Sequence, residues 1–62
     1  MMKVVYMQID WDSEKAEHIT LENVWKIENI GGGRLAVHYL EDGVYRKGLK
    51  IPKEYIMSII PD

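Results

Sequence analysis

The chain has 62 residues, 47% of them hydrophobic, with a formal net charge of −2 and no cysteine. That length gives one domain, residues 1–62, near the lower limit at which an apolar core alone can hold a fold. The composition excludes a disordered chain, and the lack of thiols excludes a disulfide framework or a thiolate metal site.

No apolar run approaches the roughly 20 residues of a membrane-spanning helix, so no membrane is expected as a partner. Met1-Met2-Lys3-Val4 lacks the apolar stretch of a signal peptide, and the expected location is cytoplasmic. Charge is unevenly spread. Residues 1–31 hold three Lys against six Asp and Glu, and residues 32–62 hold five Lys and Arg against four Asp and Glu.

In chain order, residues 3–11 alternate, with Val5, Met7, Ile9 and Trp11 on one face and Tyr6, Gln8 and Asp10 on the other. Period two with β-forming residues predicts a strand with its first set buried. Residues 12–18 carry no apolar periodicity and read as a short polar connection, at most one capped helical turn. A second run, 19–30, ends at Gly31-Gly32-Gly33, which supply the positive φ of a chain reversal.

Residues 34–40 and 44–51 predict a hairpin around Glu41-Asp42-Gly43. A two-residue turn at Asp42-Gly43 would pair Tyr39 with Arg46. A three-residue loop would pair Tyr39 with Tyr45 and Leu35 with Leu49. The second register collects Leu35, Val37, Tyr39, Tyr45 and Leu49 on one face, so the apolar pattern favours it.

The sequence also repeats at an offset of 32. Ile19, Glu22, Val24 and Ile27 match Ile51, Glu54, Ile56 and Ile59. Pro52 holds Ile51 extended and predicts a corner, and Thr20 to Asn23 can make the same corner through local side-chain bonds. Each copy then reads as strand end, corner, short strand, which predicts Ile56 and Ile59 buried near Val24 and Ile27. The rival for 52–59 is a short helical turn with Pro52 at its first position.

The expected fold is therefore all-β, with about five short antiparallel strands in a strongly bent sheet or a small SH3-like barrel. In general look this resembles SH3-like and other small-barrel modules, and no motif names a family.

Chemistry-bearing patterns are few. Asp10, Asp12 and Glu14 make a D-x-D-x-E string, but a calcium loop also needs Gly at its sixth position and Glu at its twelfth, where Lys15 and Leu21 stand. No metal or other cofactor is expected. His18 fits no ligand spacing, and His38 lies mid-strand with no nucleophile in view. Ser13 and Ser58 lack a nucleophile-elbow context. Gly31 to Arg34 precedes a strand, whereas phosphate cradles need a helix N-terminus. So small a chain can hardly wall off a water-excluded pocket, and no enzyme is expected.

Two surfaces remain. The apolar residues exceed what the core can hide, and Trp, Tyr, Met and Arg are the residues that interfaces concentrate. Trp11, Trp25, Arg46, Tyr55 and Met57 are accordingly the expected protein interface, and an open strand edge invites a second copy, as a homodimer or larger assembly. Compact chains of this kind serve as regulators, inhibitors or adaptors, some encoded by phages or other mobile elements; that step is analogy. The alternative is a single-stranded nucleic-acid platform using Arg34, Tyr45, Arg46, Lys47 and Lys50.

Overall fold

The computed structural model describes residues 1–61. They form one five-stranded antiparallel sheet: β1 (Met2–Asp10), β2 (Lys15–Gly31), β3 (Arg34–Glu41), β4 (Val44–Pro52) and β5 (Ile56–Ile60). The strand order is β4-β3-β2-β1-β5, with β4 and β5 at the two ends. The expected all-β fold of five antiparallel strands is what the chain adopts, as a bent open sheet and not a closed barrel.

The core is Val4, Leu21, Val24, Val37 and Ile51, with Met2, Tyr6, Ile19, Ile27, Tyr39, Leu49, Tyr55 and Ile56 packed around it. A single sheet can enclose such a cluster only by curling. Tyr6 to Ile9 of β1 and Leu49 to Pro52 of β4 line one cleft of about 250 Å³, although two strands separate them in the sheet. The Lys53 N–H donates to the Gly33 carbonyl at 2.8 Å and ties the end of β4 to the β2–β3 turn. Burial, and next the neighbouring Tyr39, push the Tyr6 hydroxyl above the ordinary tyrosine pKa.

The curl comes from extra residues in the strands. Between Met2↔Val24 and Val4↔Leu21, β2 carries one residue more than β1, and Asn23 there takes a left-handed φ of 56°. A second excess falls at Trp25, between Val24↔Tyr39 and Lys26↔His38. Each bulge reverses the in–out alternation and bends the strand. Leu21, Val24 and Ile27, three residues apart, thereby all reach the core side.

The β1–β2 hairpin extends past the body of the sheet, since β5 pairs only with Lys3 to Tyr6. The Cα radius of gyration, 11.8 Å, exceeds the roughly 10.6 Å of a compact chain of this length, as a projecting hairpin requires. The connection expected over 12–18 shrinks to the turn Trp11 to Glu14, and β2 begins at Lys15.

Four expectations need correction. On β1 the buried residue is Val4, with Tyr6 packed beside it, while Val5, Met7 and Ile9 are only half-buried. Both faces of β1 are apolar, so alternation alone could not choose between them. The β3–β4 turn is the two-residue Asp42-Gly43 reversal, with φ of 50° and 77°, and Tyr39 pairs with Arg46. A bulge at Lys47-Gly48 then resets the register, so Val37 meets Leu49 and Leu35 meets Ile51.

The segment after Pro52 is a single 3-10 turn, Lys53–Tyr55, followed by a strand, so each rival reading holds for part of it. Finally, Ile59 is 44% exposed and pairs with Val4, not with β2. Ile56 does pack on the core.

Candidate functional site

The outer face of β2-β3-β4 gathers the side chains that interfaces use. In β3 the residues facing away from the core are Ala36, His38 and Leu40, and strand pairing puts Glu28 and Lys50 beside Ala36, Lys26 beside His38, and Tyr45 beside Leu40. Trp25, the extra residue of β2, turns its ring onto this face. It lies 5.2 Å from the His38 ring and 6.1 Å from the Tyr45 ring, edge-on to the latter at 89°. Edge-to-face packing of this kind matches the positive rim of one ring to the negative face of the other. Trp25 nevertheless stays 39% exposed and Tyr45 64% exposed. With Met1 and Lys47 they surround a shallow concavity of about 390 Å³.

His38 supports this platform from below. The Gly48 N–H donates to its Nδ1 at 3.2 Å, which leaves the proton of the neutral ring on Nε2. Nε2 lies 2.8 Å from Glu28 Oε1 but is not aligned for a hydrogen bond to it. Glu28 also sits 3.6 Å from Lys26 Nζ. Among the described residues Arg34, Lys47 and Lys50 enter no ion pair, so the face carries unneutralised positive charge beside exposed rings.

The expected interface residues do not form one surface. Trp25 is on this face. Arg46 pairs with Tyr39 and so points to the other side of β4, where its Nε lies 3.8 Å from Glu41. Tyr55 packs half-buried on the core, and Met57 is exposed on β5. Trp11 stands at the β1–β2 hairpin tip, 77% exposed. Of the nucleic-acid set, Arg34, Tyr45, Lys47 and Lys50 lie on the Trp25 face, and Arg46 does not. His38 is the one supporting residue that sequence reasoning passed over. An isolated Gly inside a strand pattern, here Gly48, signals the bulge that seats it.

The hairpin tip is the second feature. Asp10 Oδ1 accepts the Asp12 N–H at 3.1 Å, so this carboxylate braces its own turn. The Ser13 hydroxyl, and after it the Asp12 amide, hold Asp10 below the usual carboxylate range. A depressed pKa means these bonds are intact at neutral pH and are lost only as pH falls through the lowered value. In an acid titration followed by NMR, the Asp12 amide should move with a midpoint below that of a peptide Asp, and Ser13→Ala should raise that midpoint. Among the described residues no three His, Asp or Glu side chains converge as a metal site.

The two end strands differ. β4 carries Arg46, Lys47, Lys50, a bulge and Pro52, the devices that keep an edge from pairing. β5, Ile-Met-Ser-Ile-Ile, carries no charge.

No family model, curated protein or solved structure matches the chain. No helix among the described residues is long and apolar enough to cross a membrane.

Proposed function

We propose that this chain is a non-enzymatic binding module that takes another protein on the outer face of β2-β3-β4, acting as a regulator, inhibitor or adaptor. The observation that carries the reading is the Trp25–Tyr45 pair, two rings held edge to face and still exposed. A monomer gains little from displaying rigid aromatic area beside a concavity, whereas interface hot spots concentrate Trp and Tyr in such settings. Lys47 beside the rings, with Lys50 and Arg34 further along the same face, favours a partner segment with acidic residues beside an apolar anchor.

A single-stranded nucleic acid is the second reading. It gains support from the two-residue Asp42-Gly43 turn and the bulge, which move Tyr45 and Lys47 to the Trp25 side with Arg34 and Lys50. Base stacking on such rings is worth about 1–3 kcal/mol per base.

Two measurements separate these. Titration of labelled single-stranded RNA and DNA at low and moderate salt is expected to show no complex. A tight complex that weakens steeply with salt would put nucleic acid first, because each neutralised phosphate releases counterions. Affinity capture from the native cytoplasm is expected to retain a protein partner on wild type and lose it on Trp25→Ala. Equal retention by both would move the site off this face.

A further inference from the structure

We propose that the β1–β2 hairpin tip of a second copy of this chain docks on the Trp25–Tyr45 face. The inference rests on that face being a protein-docking site, and it names the occupant.

The tip has the chemistry the face selects for. Asp10-Trp11-Asp12-Ser13-Glu14 places one aromatic anchor between carboxylates. Trp11 is the most exposed large apolar side chain among the described residues, at 77%. Leaving so large a ring in water forgoes the burial that normally offsets its ordering. Asp10, Asp12 and Glu14 on the tip meet Arg34, Lys47 and Lys50 on the face, three charges of each sign. Asp12 and Glu14, like the three cations, enter no ion pair among the described residues.

A chain cannot satisfy its own face. The ladder Met7↔His18 to Asp10↔Lys15 stiffens the hairpin. The concavity beside Trp11 is lined by Gln8 to Asp12 and Glu17 alone, with nothing from β3, β4 or β5. The Asp10 turn bonds fix the loop before docking, so little ordering entropy is spent on contact. Trp11 of one copy then lies beside Trp25, Tyr45 and Met1 of another, with the flanking carboxylates over Lys47 and Lys50.

Tip and face are different patches, so the contact is either exchanged reciprocally by two copies or extended head to tail. Either arrangement makes a specific prediction for mixtures. Trp11→Ala has an intact face and a defective tip, and Trp25→Ala has the reverse. Sedimentation velocity from micromolar to millimolar protein at low salt is expected to show wild type associating and salt weakening that association. Each variant alone should associate about thirtyfold more weakly or worse, the size of a hot-spot loss. Their equimolar mixture should form a one-to-one dimer that grows no further.

Circular dichroism checks that both variants fold. Should Trp25→Ala fail, Lys47→Glu replaces it as the face-defective member, and Asp12→Lys then restores association across the reversed charge pair. A wild type that stays monomeric at millimolar concentration would overturn the proposal, as would a mixture that forms no dimer. Association untouched by both Trp changes but abolished by Ile59→Lys would assign self-contact to the β5 edge instead. If the tip fails while capture of a foreign partner still depends on Trp25, the docking face stands and this occupant falls. If neither depends on Trp25, both readings fall.

Discussion

Replacing Ile51 by alanine is expected to remove about 2–5 kcal/mol of stability, more than any other single truncation discussed for this chain. Ile51 is 3% exposed and belongs to the five-residue core with Val4, Leu21, Val24 and Val37. It pairs with Leu35 and sits one residue before the corner at Pro52, where the surrounding backbone is fixed and cannot collapse into the space left behind. A chain of this size has a total stability of only about 3–9 kcal/mol at the usual per-residue value. The variant should therefore lie near its unfolding midpoint without denaturant. Urea titration followed by circular dichroism measures the loss. Val44→Ala, at a position 49% exposed, should cost less than about 1 kcal/mol and serves as the control. An Ile51→Ala protein within about 1 kcal/mol of wild type, below the range for truncating a core Ile, would place Ile51 outside the core.

The second large effect belongs to Gly48. Its φ is +74°, a conformation that costs an L-residue roughly 1–2 kcal/mol. A Cβ built there meets nothing within 4 Å, so the penalty is one of backbone and not of collision. Gly48→Ala should lower stability by about 1–2 kcal/mol, Gly48→Asn by less, because Asn tolerates the left-handed region, and Gly48→Val by more. The damage should also reach the binding face. The Gly48 N–H holds His38 Nδ1, and the His38 ring backs Trp25, so the Trp25 side chain should loosen and its fluorescence shift towards the red. A Gly48→Val chain with wild-type stability would rule out the left-handed bulge.

The Gly48 bulge also shows how far the sequence could be read. The apolar pattern of 34–51 announced a hairpin, and alternation was strong enough to argue a register from Tyr39, Tyr45 and Leu49. That argument assumed uniform pairing. The strands instead begin in the register of the Asp42-Gly43 turn and, past the Lys47-Gly48 bulge, end in one shifted a further residue away from the three-residue-loop pairing, so Leu35 meets Ile51 and not Leu49. Tyr45 moves to the outer face as a result, and an aromatic expected in the core becomes half of the candidate site.

The repeat at offset 32 has a similar explanation. Val24 and Ile27, like Ile56 and Ile59, are three residues apart, a spacing that breaks the alternation of a regular strand and also fits one turn of helix. In each copy a bulge resolves it: Trp25 is the extra residue in β2 and Met57 the extra residue in β5, and both are exposed. The pattern thus marked where strands would bend: Pro52 turns the expected corner, while over Thr20 to Asn23 the expected corner is replaced by a bulge with Asn23 left-handed inside one continuous β2. It did not specify neighbours. β5 pairs with β1, which leaves Ile59 half in water at the end of the sheet.

Local chemistry in the sequence determined that the elements are strands, that the chain reverses at its glycines, and that it turns a corner at Pro52. Glycine conformation, proline geometry and β-branched alternation act over a few residues and are written into them. Only the tertiary structure decided which face of β1 is buried, which strands end the sheet, and that Trp25, His38 and Tyr45 meet. Each of those outcomes depends on single-residue register shifts between strands distant in sequence. A shift of one residue exchanges inside for outside, and its energy comes from how the whole sheet closes over Val4, Val24 and Val37.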